Sequence, residues 1–326
     1  MNVLVTGGAG YVGSIVTEEL LKETHKVVVL DNLQQGHKVA VFPQAEFVLA
    51  DICDAKALED VFRQFKVDAV MHMAAETVVE FSMTDPWRYF QNNVVGGMNL
   101  LEAMRKHQVN KLVFSSSASV YGEPQSIPVV EEHAKTPVNS YGESKLMFEH
   151  ILQCYGTAYG VKHISFRYFN AAGASRLLGE DHRPETHLIA NILKAAMGKD
   201  KAVPIFGVDY PTKDGSCIRD YVHVVDIARA HILALGKLGE LSGRAYNLGN
   251  GEGYSVLEVV EMTKKVTGVD IPTKVGGRRP GDPAVLVASS SRAKSELGWK
   301  PKFPELENII GDAWNWMNQH PNGYEQ

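Results

Sequence analysis

The chain has 326 residues, 44% hydrophobic and 22% charged, a length that predicts one large domain or two intimately joined ones with a substantial core. A net charge of -5 excludes a broad polyanion-binding face, so no nucleic-acid partner is expected and any phosphate must be held by local donors. No apolar run reaches the ~20 residues of a membrane span and no basic segment leads an apolar one, so neither a membrane partner nor a signal peptide is expected; the three cysteines, Cys53, Cys154 and Cys217, lack metal-ligand spacing, which predicts a reduced, cytoplasmic protein without a metal centre.

In chain order, short apolar runs alternate with helical patterns. Strands are predicted at Val3–Val5, Val27–Leu30, Phe47–Leu49, Ala69–Met73, Leu112–Ser115 and Ile164–Phe169, and helices at Gly13–Lys22, Ala55–Gln64, Val94–Lys106 and Tyr141–Tyr159. Continuous apolar strands are buried on both faces, and their alternation with helices predicts an α/β fold with a doubly wound parallel sheet. After Asn170, Pro, Gly and charged residues break the pattern, as at Gly207–Pro211 and Gly276–Pro283. Residues 1–170 are expected to form a dinucleotide-binding domain, and residues 171–326 mainly a smaller C-terminal lobe. A strand at Arg244–Asn247 and a helix at Val256–Thr267 return to the first domain from about 220–267, so the lobes interweave. The tail from about Asn318 is polar and is expected to fray.

Strand Val3–Thr6 runs into Gly7-Gly8-Ala9-Gly10-Tyr11-Val12-Gly13. Spaced glycines permit a tight turn and close backbone approach to a pyrophosphate, and the helix that follows aims free N–H groups at it. The second strand ends in Asp31, placed to accept hydrogen bonds from the adenosine ribose and to repel a 2′-phosphate, which favours NAD over NADP. Asp51 and Ile52 follow the third strand, where an acid meets adenine or caps the next helix.

In Ser140-Tyr141-Gly142-Glu143-Ser144-Lys145, a tyrosine and a lysine lie four apart, about 6 Å along one helix face. A nearby ammonium favours the phenolate, which makes Tyr141 an acid/base candidate, and Lys145 a partner for it and for a ribose. Ser115-Ser116-Ser117 ends the strand beginning at Leu112. That is the carboxyl edge where open sheets bind ligands, so Ser117 is a candidate to hold a substrate oxygen or to cap the loop.

The loop Thr6–Gly13, the serine Ser117 before Val120-Tyr121-Gly122, and Tyr141–Lys145 together resemble the extended short-chain dehydrogenase/reductase family. Arg167–Ala174, Ile205–Asp226, Tyr246–Gly251 and Arg278–Asp282 are similar to its UDP-hexose 4-epimerase branch, over nearly the whole chain. The resemblance implies a Rossmann-type fold, a UDP-hexose substrate, tightly bound NAD, and interconversion of UDP-glucose and UDP-galactose through a 4-ketosugar. It implies that Tyr141, Ser117 and Lys145 are catalytic. It assigns Gly7, Gly10, Tyr11, Val12, Gly13, Asp31, Asn32, Asp51, Ile52, Ala74, Asn92, Ser115 and Tyr168, with Tyr141 and Lys145, to the cofactor. Asn170, His187, Leu188, Ile205, Phe206, Arg219, Arg279, Asp282 and Leu286 are assigned to the substrate beside Ser117 and Tyr141. A homodimer through a four-helix interface is also implied, built by the helices at Val94–Lys106 and Tyr141–Tyr159.

Read alone, Phe206 suits a core, Arg278 and Arg279 suit a solvated loop, and His223 and Asp226 suit a strand-to-helix connection. The chain departs from some family members at Thr77, where they carry lysine, and at His187, where they carry asparagine. Leu286 stands where some have a tyrosine that closes the sugar pocket, so UDP-N-acetylglucosamine and UDP-N-acetylgalactosamine are expected as further substrates. Family dehydratases carry acids after the serine, and decarboxylases carry one; here those positions are Ala118 and Ser119. A non-catalytic NAD-binding sensor is the alternative from another class, disfavoured by the intact Tyr141 and Lys145.

Overall fold

The computed structural model describes residues 1–199, 202–279 and 282–324. The first half contains β1 (Asn2–Thr6), α1 (Tyr11–Lys22), β2 (Lys26–Asp31), β3 (Glu46–Leu49), α2 (Ala55–Gln64) and β4 (Ala69–His72). Short helices α3 (Val79–Thr84) and α4 (Pro86–Tyr89) lead to α5 (Gly97–Lys106), β5 (Lys111–Ser117), α6 (Ser140–Tyr159) and β6 (Lys162–Tyr168). There follow β7 (Asn170–Ala172), α7 (Leu188–Ala196), β8 (Val203–Phe206), β9 (Ile218–His223), α8 (Val224–Lys237) and β10 (Arg244–Leu248). The chain continues through β11 (Gly253–Ser255), α9 (Val256–Thr267), β12 (Thr273–Gly276), β13 (Val285–Leu286) and α10 (Leu306–Gln319).

Seven strands form a parallel sheet in the order β3-β2-β1-β4-β5-β6-β10. Successive side chains of a strand point to opposite faces, which is why the apolar runs are continuous. Val3, Val5, Val27, Val29, Ile164 and Phe166 pack into one core with α1 and α8, while Leu4, Val28, Leu30, Leu112 and Phe114 pack into another with α2, α5 and α6. Strand order reverses between β1 and β4, with β2 and β3 added on one side and β4 onward on the other, opening a crevice at their carboxyl ends. A smaller sheet centres on β9, flanked by β11 and β13 with β7 also paired to it, and β8 pairs with β12.

The predicted helix at Val94–Lys106 begins inside a π-helical stretch, Phe90–Gly96, that continues directly into α5. The wider turn carries Asn93 inward, where it receives the Glu76 N–H at 2.8 Å and donates to Ser144 of α6 at 2.9 Å; π segments recur at functional sites for such reasons. His223 caps α8 by accepting from Val225 N at 3.1 Å, and the buried Asp226 carboxylate accepts from Lys302 N at 2.7 Å and Phe303 N at 2.9 Å, so both residues serve the strand-to-helix connection.

The expectation of a frayed tail is overturned. Helix α10 runs to Gln319 and Tyr324 is 8% exposed. The Tyr324 N–H donates to Asp181 at 3.0 Å, its hydroxyl accepts from Gly179 N at 3.1 Å, and its ring lies 4.9 Å from His37 and 5.2 Å from Trp316. Apart from each other and His320, Trp316 and Tyr324 meet residues more than a hundred positions away, His37, Leu177, Gly179 and Asp181; no local pattern announces such docking.

Candidate active site

The glycine loop lies at the β1–β4 crevice. Gly7 has a φ of 70° and donates its N–H to Leu30 O at 2.8 Å. A Cβ on Gly7 would stand 2.6 Å from Ala74 N, which explains both the glycine and the position of Ala74. A Cβ on Gly13 would stand 2.8 Å from the Gly7 carbonyl carbon, so α1 enters against the loop's backbone. A Cβ on Gly10 would meet only Gly7 O, at 3.4 Å. Gly10 is the N-cap of α1, no side chain caps it, and the first turn holds no acid. Free N–H groups facing open space at a helix N-terminus suit a pyrophosphate, so these residues fit a dinucleotide. Val12 packs on the core, while the Tyr11 hydroxyl donates to Gly173 O at 2.6 Å.

Asp31 is buried at the end of β2 and accepts from Ala9 N at 3.0 Å and Leu33 N at 2.8 Å. It therefore braces the glycine loop, and each carboxylate oxygen keeps a lone pair for a ribose hydroxyl. Asn32 donates to Asp51 at 2.9 Å, Asp51 accepts from Cys53 N at 2.7 Å, and Ile52 is buried. The cap of α2 is Asp54, not Asp51, which leaves Asp51 at the crevice. Asn92 donates to Asn93 at 3.0 Å, and Thr77 is exposed nearby.

Asn139 caps α6 by accepting from Gly142 N at 2.8 Å. This cap fixes where the first turn carrying Tyr141 begins. Lys145, one turn on, is 3% exposed, donates to Ser115 O at 2.9 Å, and holds its ammonium 5.8 Å from the centre of the Tyr141 ring. The Ser117 hydroxyl lies beside the Tyr141 phenol and accepts from Ser119 N at 3.1 Å; it is at once a loop cap and the phenol's neighbour. Burial raises the Tyr141 pKa and the Ser117 hydrogen bond only partly offsets this, whereas burial lowers Lys145 to about 7. Without a cofactor, desolvation is thus the largest influence on both groups. Below Lys145, buried His72 accepts or donates at Thr6 Oγ1 across 2.8 Å and is held neutral, its pKa lowered to about 3 by burial and by Lys145. The Tyr168 hydroxyl bonds His231 at 2.7 Å, behind the same edge.

A buried polar network supports this edge, and sequence reading missed it. Ser116 donates to Glu149 at 2.5 Å, and Arg167 reaches both Glu149 oxygens at 3.0 and 2.6 Å. Arg167 also donates to Tyr121 OH at 2.9 Å, which donates to Asn247 at 2.7 Å. Tyr121, Arg167 and Asn247 lie inside the motifs that carried the resemblance, but a motif does not say which of its residues face each other. A bidentate guanidinium–carboxylate pair with its remaining donors satisfied locks α6 to β5 and β6.

On the substrate side, Asn170 donates to Asp220 O at 2.8 Å. Arg219 donates to Pro283 O at 2.8 Å and lies 3.3 Å from Asp282. Phe206 is 38% exposed, so it is not core; the Arg279 guanidinium stacks 4.4 Å above its ring. Arg278 instead pairs with Asp209 at 2.8 Å. Pro280 and Gly281 of the same motif lie outside the described residues. Ile205 is buried in β8, and Leu188 opens α7 against the core. Leu286, in register with Arg219 on β9, packs on a small core containing Ala118, Leu146 and Phe169, next to the Ser117 turn. His187, which stands where some family members carry asparagine, lies 2.7 Å from Glu180 and 2.8 Å from Glu185.

The sequence profile of the NAD dependent epimerase/dehydratase family matches residues 3–249. A UDP-glucose 4-epimerase of Lactobacillus helveticus is 50% identical over 328 residues, covering 100% of this chain and 99% of its own. A crystal structure of a UDP-glucose 4-epimerase superposes with a TM-score of 0.97 at 47% identity, each chain covering 100% of the other. That of a UDP-glucose 4-epimerase from Bifidobacterium longum, in complex with NAD+ and UDP, gives 0.95 at 38% identity over 99% of this chain and 100% of its own.

Proposed function

Since this chain belongs to the NAD dependent epimerase/dehydratase family, we propose that it interconverts UDP-glucose and UDP-galactose by transient oxidation at C4 of the hexose. The observation that carries the reading is the meeting of Tyr141, Ser117 and Lys145 at one carboxyl edge of the sheet. Bound NAD supplies the acceptor and later the donor of the C4 hydride, and its cationic ring favours the Tyr141 phenolate. Tyr141 takes the proton of the sugar 4-hydroxyl and later returns it, so no net oxidation occurs. Ser117 directs its O–H at the same oxygen. Lys145, anchored on Ser115, lies between the phenol and the site of the nicotinamide ribose. Asn170, Arg219 and Arg279 hold the diphosphate, and Phe206, Asp282 and His187 line the uridine and diphosphate side. The 4-ketosugar turns about its bond to the diphosphate, presenting its other face for reduction. Residues 1–170, with elements from about 220–267, serve the cofactor, and residues 171–326 mainly serve the UDP-sugar.

Elimination or decarboxylation would need a further acid after Ser117; Ala118 is buried and Ser119 uses its N–H on Ser117. Leu286 lacks both the bulk and the hydroxyl of tyrosine beside the Ser117 turn, so the N-acetylated UDP-hexoses are also substrates. The chain forms a homodimer through α5 and α6, whose exposed faces carry Met98 and Met147. It works in the cytoplasm, in keeping with three free cysteines; no helix among the described residues is long and apolar enough to cross a membrane. The test is product analysis with the purified chain and UDP-galactose. Formation of UDP-glucose, lost in Tyr141→Phe, is the expected result, and absence of conversion by the intact chain refutes the reading. Light scattering checks the dimer.

A further inference from the structure

We propose that Glu180, His182, Glu185 and His187 form a binding site for one divalent cation of the zinc class, outside the hydride-transfer centre. Each of the four offers one donor atom, and these atoms lie within 4.8 Å of one another. Two imidazole nitrogens and two carboxylate oxygens are a donor set that zinc, cobalt and nickel accept in tetrahedral form.

The hydrogen bonding points the same way. His187 Nδ1 stands 2.7 Å from Glu180 Oε1 and 2.8 Å from Glu185 Oε1, and His182 Nδ1 stands 3.3 Å from Glu180 Oε1. Nδ1 carries at most one hydrogen, so it cannot serve both carboxylate oxygens at once. Glu185 Oε1 already accepts the Thr186 and His187 N–H groups, each at 2.8 Å. Glu180 Oε1, His182 Nδ1 and Glu185 Oε2 are buried and have no hydrogen-bond partner. The Glu185 side chain is 97% buried, being 3% exposed, and the ammonium of Lys194 stays 4.0 Å from its Oε2. Two carboxylates and an imidazole gathered this closely, with the buried Glu185 Oε2 left without a hydrogen bond, are expensive unless a cation collects them.

The segment is built to present these groups. Its contacts alternate, as in extended chain: Glu180 and His182 turn to the cluster, while Asp181 and Arg183 turn to the C-terminal tail, Asp181 receiving Tyr324 N at 3.0 Å and Arg183 at 3.1 Å. His187 is the N-cap of α7, and the His182 ring meets edge-on the ring of Tyr11, the first residue of α1, at 6.3 Å. A cation here joins residues 180–187 into one clasp between the glycine loop and the substrate lobe. Four protein donors close its coordination, which makes the ion a structural one rather than an activator of water.

The full chain, stripped with a chelator and desalted, is titrated with Zn2+ against a chromophoric competitor, with metal content read by mass spectrometry and stability by thermal melting. One equivalent held in competition, a raised Tm, and at least ~100-fold weaker binding in His182→Ala/His187→Ala are expected. Co2+ substitution gives the intense visible bands of tetrahedral cobalt in the wild type and not in the variant. NAD content reports that the variant is folded; if it fails to fold, Glu180→Gln replaces it. A wild-type chain that holds no stoichiometric Zn2+, or holds it no better than the variant, overturns the proposal.

Discussion

Gly142, between Tyr141 and the rest of its helix, offers a sharp test of how the proposed site is positioned. Its backbone is helical, so alanine costs no dihedral strain and by propensity would stabilise α6 by about 1 kcal/mol. Space says otherwise. An alanine Cβ would stand 2.9 Å from the Ser119 carbonyl carbon and 3.1 Å from Pro137 Cβ, and closer still to the Ser119 oxygen. Ordinary contact begins near 3.4 Å, so the first turn of α6 and the Ser117–Ser119 turn must part by at least 0.5 Å, the difference between 3.4 and 2.9. Tyr141 is the adjacent residue and Ser117 is tied to Ser119 N, so the separation falls on the phenol–serine pair itself. Misplacement on the order of 1 Å costs about 100-fold in rate, and overpacking costs about 1–3 kcal/mol, against which the propensity gain acts. Gly142→Ala is therefore expected to lower kcat by roughly 10–100-fold with KM changed little and NAD retained. A coupled assay for UDP-glucose release, cofactor content after purification and a thermal melt measure these separately. Wild-type kcat in a folded Gly142→Ala protein would refute the argument that this close approach positions the phenol.

Tyr141→Phe removes the proton acceptor and keeps the ring, so kcat is expected to fall by about 100- to 10,000-fold with NAD binding intact; loss of bound NAD in step with activity would contradict the role. Leu286→Tyr is expected to remove activity on the acetylated sugars and keep it on UDP-galactose, as product analysis with both pairs would reveal; equal loss on both counts against a pocket role. In the chain freed of cofactor, burial pushes the Lys145 ammonium down to about 7 from its ordinary 10.5. The unfolded chain therefore binds more protons between those values, so this group's contribution to stability rises with pH across that window and is most unfavourable below pH 7. Lys145→Met should flatten that slope, raising the Tm at pH 6 relative to wild type by more than at pH 10; an identical difference at both would show that the buried ammonium carries no such penalty.

The exposed edge of the site was harder to read than its core. Phe206 looks like a core residue in sequence, because aromatic residues usually are, yet its ring is open and pairs with Arg279 across 4.4 Å. Asp51 and Asp54 are indistinguishable as caps until the backbone shows which one reaches Lys56 N and Ala57 N. Glu149 stands in the middle of a helical pattern as an ordinary polar residue, and only the fold brings it against Arg167 of β6 and Ser116 of β5. Glu180, His182, Glu185 and His187 are close in sequence, but their spacing matches no metal motif; the turn that gathers them is set by α7 and by the tail.

The sequence by itself determined the doubly wound sheet, the glycine loop, Asp31, and the Ser117, Tyr141 and Lys145 set, because these rest on local regularities: strands that alternate across two cores, a turn only glycine can make, and a four-residue helical step. Tertiary structure alone decided the protonation balance at Tyr141 and Lys145, the network behind them, and the docking of Tyr324. Those depend on desolvation and on contacts between residues distant in the chain, and neither is encoded in any window of sequence short enough to read as a pattern.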